Sequence, residues 1–165
     1  MLTPALTESP HFSPDSRVWV YTSNRALSEA ETEMVQQRMD AFCAQWTAHN
    51  QALKAKAEVF SHQLLILMVD ETQAGASGCS IDTSVHFLEA LGASIQADFF
   101  ERMRFGYMDE NGALQFVSKP AFSDLVNHGN IHADTPVVNT LVQTKQQLSE
   151  NWLLPFGQSW HRRLV

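Results

Sequence analysis

The sequence predicts an α+β domain built on an antiparallel sheet, and three observations carry that reading. Short runs of β-branched and aromatic residues alternate with two segments whose apolar residues recur at helical spacing. The most apolar run, LLILMV at 64–69, leads straight into a turn rich in glycine and serine and then into the second helical segment. The chain has 165 residues, 44% hydrophobic and 18% charged, enough to bury a core without disulfide or metal staples.

Residues 1–16 contain three prolines among several Ser and Thr and read as a flexible N-terminal arm. Residues 17–165 then form a single domain. Arg17–Thr22 (RVWVYT) has strand composition. Ser28 and Glu31 match a capping box, so a helix follows, with Val35, Met39, Phe42 and Trp46 on its inner face and Cys43 beside them. His49, Asn50 and Gln51 break it. Residues 53–60 alternate apolar and polar as a half-exposed strand does, and 61–63 are short enough for a hairpin turn. The run 64–69 returns as a strand buried on both faces.

After the Gly-rich turn, Ile81, Val85, Leu88, Leu91 and Ile95 predict the inner face of a second helix, interrupted or ended near Gly92. Residues 102–108 form a fourth strand, and Asp109 to Gly112 turn it back into a fifth at 113–117. A short helix is expected at 120–128, ending at Gly129. Another is expected to start at Thr135 and Pro136 and to continue through Val138, Leu141, Val142, Lys145 and Leu148. The tail carries Trp152, Leu153, Leu154, Phe156 and Trp160, and must pack on an open sheet face or on a second copy of the chain. The order β-α-β-β-α-β is the ferredoxin-like split βαβ arrangement with an added hairpin strand. It divides the domain into a ferredoxin-like core at 17–118 and a helical C-terminal extension at 119–165.

Charge and composition exclude several roles. The net charge is −7 and the four lysines are scattered, so no nucleic-acid partner is expected. The start of the chain has neither a basic nor an apolar signal segment, and the longest apolar run has six residues where a membrane helix needs about 20. Two separated cysteines, Cys43 and Cys79, suit a reducing cytoplasm. A homodimer is compatible with the apolar tail.

The candidate chemistry lies between 70 and 86. Residues 64–71 (LLILMVDE) resemble a Walker B strand, in which Asp70 would serve a magnesium ion and Glu71 would orient a water. The phosphate loop of an ATPase is missing: Gly75 and Gly78 lack the lysine that G-x-x-x-x-G-K-[ST] requires. Residues 74–80 (AGASGCS) can instead form a nest of N–H groups ahead of a helix, able to take a small anionic ligand near Ser77, Gly78 and Ser80. Asp82, placed in the first turn, would compete for that position. Cys79 at a helix start is the candidate nucleophile, because such a position favours thiolate. His86 is too distant along the helix to serve as its base. Asp82 and His86 share one helical face, but two ligands do not make a metal site, so neither metal nor cofactor is expected.

The run DETQAGASGCSIDTSVHFLEAL, with VWVYTSNR before it and NTLVQTK and SWH after it, resembles a family of small uncharacterised bacterial proteins, some of which carry the label "ABC transporter ATPase". The resemblance extends over the chain from Arg17 onward and implies no established activity. The leading expectation is a binding or interaction domain taking a small anionic ligand at the 75–82 turn. The alternatives are a small enzyme using Cys79 as nucleophile or redox thiol, and a purely structural protein partner.

Overall fold

The computed structural model describes residues 2–165. Strand β1 (Arg17–Thr22) leads through helix α1 (Glu29–Gln45) and a two-residue hairpin, β2 (Thr47–Ala48) and β3 (Gln51–Ala52), into β4 (Lys54–Phe60). The expected break at 49–51 is that hairpin's turn, with His49 and Asn50 at φ 51° and 64°. Strand β5 (Leu64–Asp70) follows and lies between β1 and β4, antiparallel to both. All seven of its residues are buried. The period of two explains why: Leu65, Leu67 and Val69 enter the core under the helices, while Leu64, Ile66 and Met68 enter a second core on the opposite face.

The helices cover the first face. Ser28 and Glu31 make the expected capping box on α1, and Arg25 grips Glu31 with two hydrogen bonds of 2.9 and 2.7 Å. That grip, with the Ser28 N–H, holds the Glu31 carboxyl down at about 2. Val35, Met39, Phe42 and Cys43 are buried, as their spacing required. Helix α2 (Gly78–Ser94) is rotated from the expected face: Ser80, Ser84, Leu88, Leu91 and Gly92 are buried, whereas Ile81 and Val85 are half-exposed. Small residues let its backbone approach closely. The Trp46 indole, buried at the end of α1, donates to the Ser80 carbonyl at 2.9 Å and locks the two helices together.

The second half departs from the expected arrangement. Strands β6 (Arg104–Met108) and β7 (Leu114–Ser118) form the anticipated hairpin, but β6 does not add to β1 as a fourth ferredoxin-like strand. It belongs to a separate sheet of order β7-β6-β8-β9, with β8 at Pro136–Val138 and β9 at Leu153–Pro155. The helix expected from Thr135 is therefore strand β8, and the extension 119–165 is not simply helical. The physical reason lies in Val137 and Val138, which point to opposite faces and fill two different cores. The pair Pro136 and Pro155 stand opposite each other, where neither needs an N–H for the ladder. Helix α3 (Lys119–Asn127) matches expectation, and the last helix, α4 (Lys145–Asn151), starts instead from a Thr144 cap.

Four layers result. Helices α1 and α2 cover the first sheet, the second sheet packs on its other face, and α3 with the C-terminal 3-10 turns covers the far side of the second sheet. Trp152 and Phe156 are buried within this stack, so the apolar tail is covered by its own chain. The N-terminal arm is likewise not loose over 2–16. Leu6 is in the core, Ala5 and Leu6 donate to Glu58, and Lys145 Nζ donates to the carbonyls of Ser9 and Phe12 at 2.8 and 2.9 Å. Apart from a 3-10 turn at Ala5–Glu8, the proline-rich arm is irregular, and these charged side chains satisfy its backbone. No helix among the described residues is long and apolar enough to cross a membrane.

Gly106 sits where the two sheets meet: a Cβ there would lie 2.7 Å from Val138 Cγ2 and 2.8 Å from the Phe116 ring. Gly106→Ala is expected to lower stability by about 1–3 kcal/mol in urea denaturation through overpacking, and Val138→Ala in the same chain should recover part of that loss.

Candidate functional site

The 70–82 turn is built to hold itself. Asp70, 4% exposed, accepts from the N–H groups of Ser13 and Thr72, each at 3.0 Å, and lies 3.7 Å from Lys54 Nζ. The Ser13 and Thr72 N–H groups, more than the lysine, hold its carboxyl down at about 2. Glu71 accepts from Ala76 N at 2.8 Å and closes the loop. Ser77 caps α2 and Ser80 answers it, each side chain taking the other's N–H at 3.1 and 2.7 Å. The donors of the anticipated nest are thus largely used by its own side chains. Helix α2 begins at Gly78, so Asp82 falls beyond the first turn rather than in it.

Cys79 is a free, exposed thiol, and among the described residues no hydrogen bond joins it to a histidine. Asp82 and His86 are exposed on the same helix, and no group of three or more metal-binding side chains forms among the described residues. Buried Cys43 is pushed up to about 12 by desolvation and then by Asp40. The residues singled out in the sequence are therefore neighbours along one turn and do not converge around a shared cavity.

A cavity lies elsewhere, in the gap that β6 leaves by not pairing with β1. It is a cleft of about 480 Å³, within the range of small-molecule sites. One wall is the edge of β1 at Val20, Tyr21 and Thr22, and the other is β6 at Arg104, Phe105 and Gly106. Phe99, Phe100, Glu101 and Arg102 close one end, while Thr140, Leu141, Trp160 and His161 contribute from the C-terminal part. Val18 donates outward to Gln143 O at 3.0 Å and Thr22 accepts from Glu101 N at 3.1 Å. Alternation along an antiparallel strand then turns the Val20 N–H and C=O to the same side, facing the cleft, with no partner among the described residues.

His161 is the polar residue most deeply built into this wall, at 1% exposure. Its ring stacks on Trp160 with centroids 3.7 Å apart and meets Phe105 edge-on at 5.0 Å. Ser159 Oγ accepts from the His161 backbone N–H and is also hydrogen-bonded to Nδ1. The hydroxyl proton is therefore best used toward Nδ1, which leaves a proton on Nε2 in the neutral ring. Burial pushes His161 down to about 4, so at neutral pH the ring is uncharged. Nε2 has no partner among the described protein atoms. Tyr21, on the opposite wall, is raised by burial, partly offset by the nearby Ser84 hydroxyl.

Two arginines complete the cleft. Arg104 Nε donates to the side chain of buried Gln63 at 3.0 Å, and among the described residues no carboxylate lies within ion-pair distance of Arg102 or Arg104. Sequence reasoning missed this site because its residues come from five separated segments and none belongs to a spacing motif. The one available signal was SWH at 159–161, a serine two residues before a histidine in an aromatic tail. No protein-family model, curated protein or solved structure matches the chain.

Asp70→Asn should cost about 1–3 kcal/mol at neutral pH, read by urea denaturation. The folded carboxyl, at about 2, lies below its ordinary 3.8. Its contribution is therefore complete above that ordinary value and is lost as pH falls through about 2, where wild type and variant should converge. His161 has its own signature. The unfolded chain takes up a proton near 6.5 and the folded chain only near 4, so stability should fall by roughly 1.4 kcal/mol for each pH unit of acidification from 6.5 towards 4. His161→Phe should remove that slope while keeping the stacked ring.

Proposed function

We propose that this protein is a binding domain acting through the cleft between its two sheets, in place of the 75–82 turn. The occupant is a small molecule with an apolar body. The observation that carries this reading is a cavity of small-molecule size whose walls are mainly aromatic and aliphatic, with one deeply buried histidine presenting an unpaired ring nitrogen. Such a combination, apolar walls with a few fixed polar groups, is what small-molecule sites share. Binding rather than catalysis is favoured because, among the described residues, no histidine is hydrogen-bonded to Cys79, and the hydroxyl of Ser159 is engaged in capping the last 3-10 turn. The setting proposed is the cytoplasm, where two unbridged cysteines remain reduced.

The 1-octanol molecule, an apolar chain with one hydrogen-bonding head, is a suitable probe. Millimolar 1-octanol should raise the melting temperature, because a ligand of the native state stabilises it. It should also shift the emission of Trp160, a response lost in Trp160→Phe. Thr140→Trp, which fills the cleft from a half-exposed position, should abolish the stabilisation. Equal stabilisation of wild type and Thr140→Trp would place binding outside the cleft and overturn the proposal.

A further inference from the structure

Resting on the cleft as the binding site, we infer that its ligand is an apolar monocarboxylate, whose carboxylate is received by Arg104 with Arg102 beside it. Arg25 grips Glu31 with both terminal amino groups, so its charge is already matched within the chain. Arg104 is held differently. Its Nε is fixed by the neutral amide of Gln63, 9% exposed in the hairpin turn just before β5. A neutral partner orients the guanidinium without cancelling its charge, and it leaves the two terminal amino groups as a fork. That fork matches the two oxygens of a carboxylate, and charge-assisted pairs of this geometry are the strong ones.

The remaining cleft chemistry agrees. Phe100, Phe116, Val138 and Trp160 offer an apolar lining to the body of the ligand, and the neutral His161 ring adds a hydrogen-bonding group that carries no competing negative charge. Glu101 is the acidic residue on the cleft wall, and its Oε1 accepts from Met103 N at 2.8 Å rather than from either arginine. Glu101 sets one negative charge against the two arginines, so a single carboxylate matches the charge that remains, whereas a phosphate or dicarboxylate would leave excess charge in so apolar a cavity.

Octanoate and 1-octanol have the same chain length and differ in the head group. Calorimetric titration of the full chain should give a dissociation constant for octanoate about tenfold lower than for 1-octanol, the size expected of one charge-assisted pair. Gln63→Glu places a carboxylate on Arg104 with little change of shape. It should erase the preference while leaving 1-octanol binding intact. Arg102→Gln, at an exposed position, should weaken octanoate severalfold with 1-octanol unchanged. Equal affinity of the two probes for the wild type, or a preference that survives Gln63→Glu, overturns this inference and leaves the cleft as a binding site. Failure of both probes to bind overturns the cleft reading itself.

Discussion

The structure depends on the burial of β5 on both faces. Leu64 through Val69 present no polar side chain to either side, so neither face can be left to water. Each such side chain is worth about 1.5–3 kcal/mol when fully buried, and the six together contribute on the order of 10 kcal/mol, comparable with the whole net stability of an ordinary domain. Helices α1 and α2 satisfy one face. The second sheet, helped by Phe60, Leu148 and Trp152, satisfies the other. The strand ends where it turns polar, at Asp70, whose carboxylate ties down the arm through Ser13.

Covering the second face has a consequence for function. Because β6 joins β7, β8 and β9 in a separate sheet, the outer edge of β1 remains open between its contacts with Gln143 and Glu101. Two sheets that meet at a corner without merging leave a gap, and here the gap is lined by what each sheet places at its margin. From β1 come Val20 and Tyr21, from β6 come Arg104 and Phe105, and from the tail come Trp160 and His161. Gly106 lets the sheets close behind it. The candidate site is therefore a by-product of how the central strand is covered, with polar groups fixed by residues that face other duties: Gln63 at a hairpin, Ser159 at a helix cap.

Local signals were legible where one residue pattern admits one structure. The capping box at Ser28 and Glu31, the apolar face of α1, the hairpin at Asp109 to Gly112 and the all-apolar β5 were all readable from spacing. Helix starts were less so: Thr135 and Pro136 form a valid start signal, yet Val137 and Val138 have two cores to fill, and packing overrode the cap. The arm misled for a related reason. Its composition disfavours α-helix and strand and leaves a four-residue 3-10 turn at Ala5–Glu8, but its other backbone groups can be satisfied by Glu58, Asp70, Lys54 and Lys145 from 43 or more residues away.

What the sequence determined by itself is the α+β class, the central strand and the place of the turn and helix start after it, because these rest on patterns within a few residues. What only the tertiary structure decided is which edge β6 would join, and with it the cleft. That choice depends on shape complementarity between surfaces far apart in the chain, and on the need of β5 for a second apolar cover. His161, Arg104, Gln63 and Val20 have no common spacing to betray them. They become neighbours of one cavity only when both sheets are in place, since side-chain chemistry can be read locally but proximity between distant segments cannot.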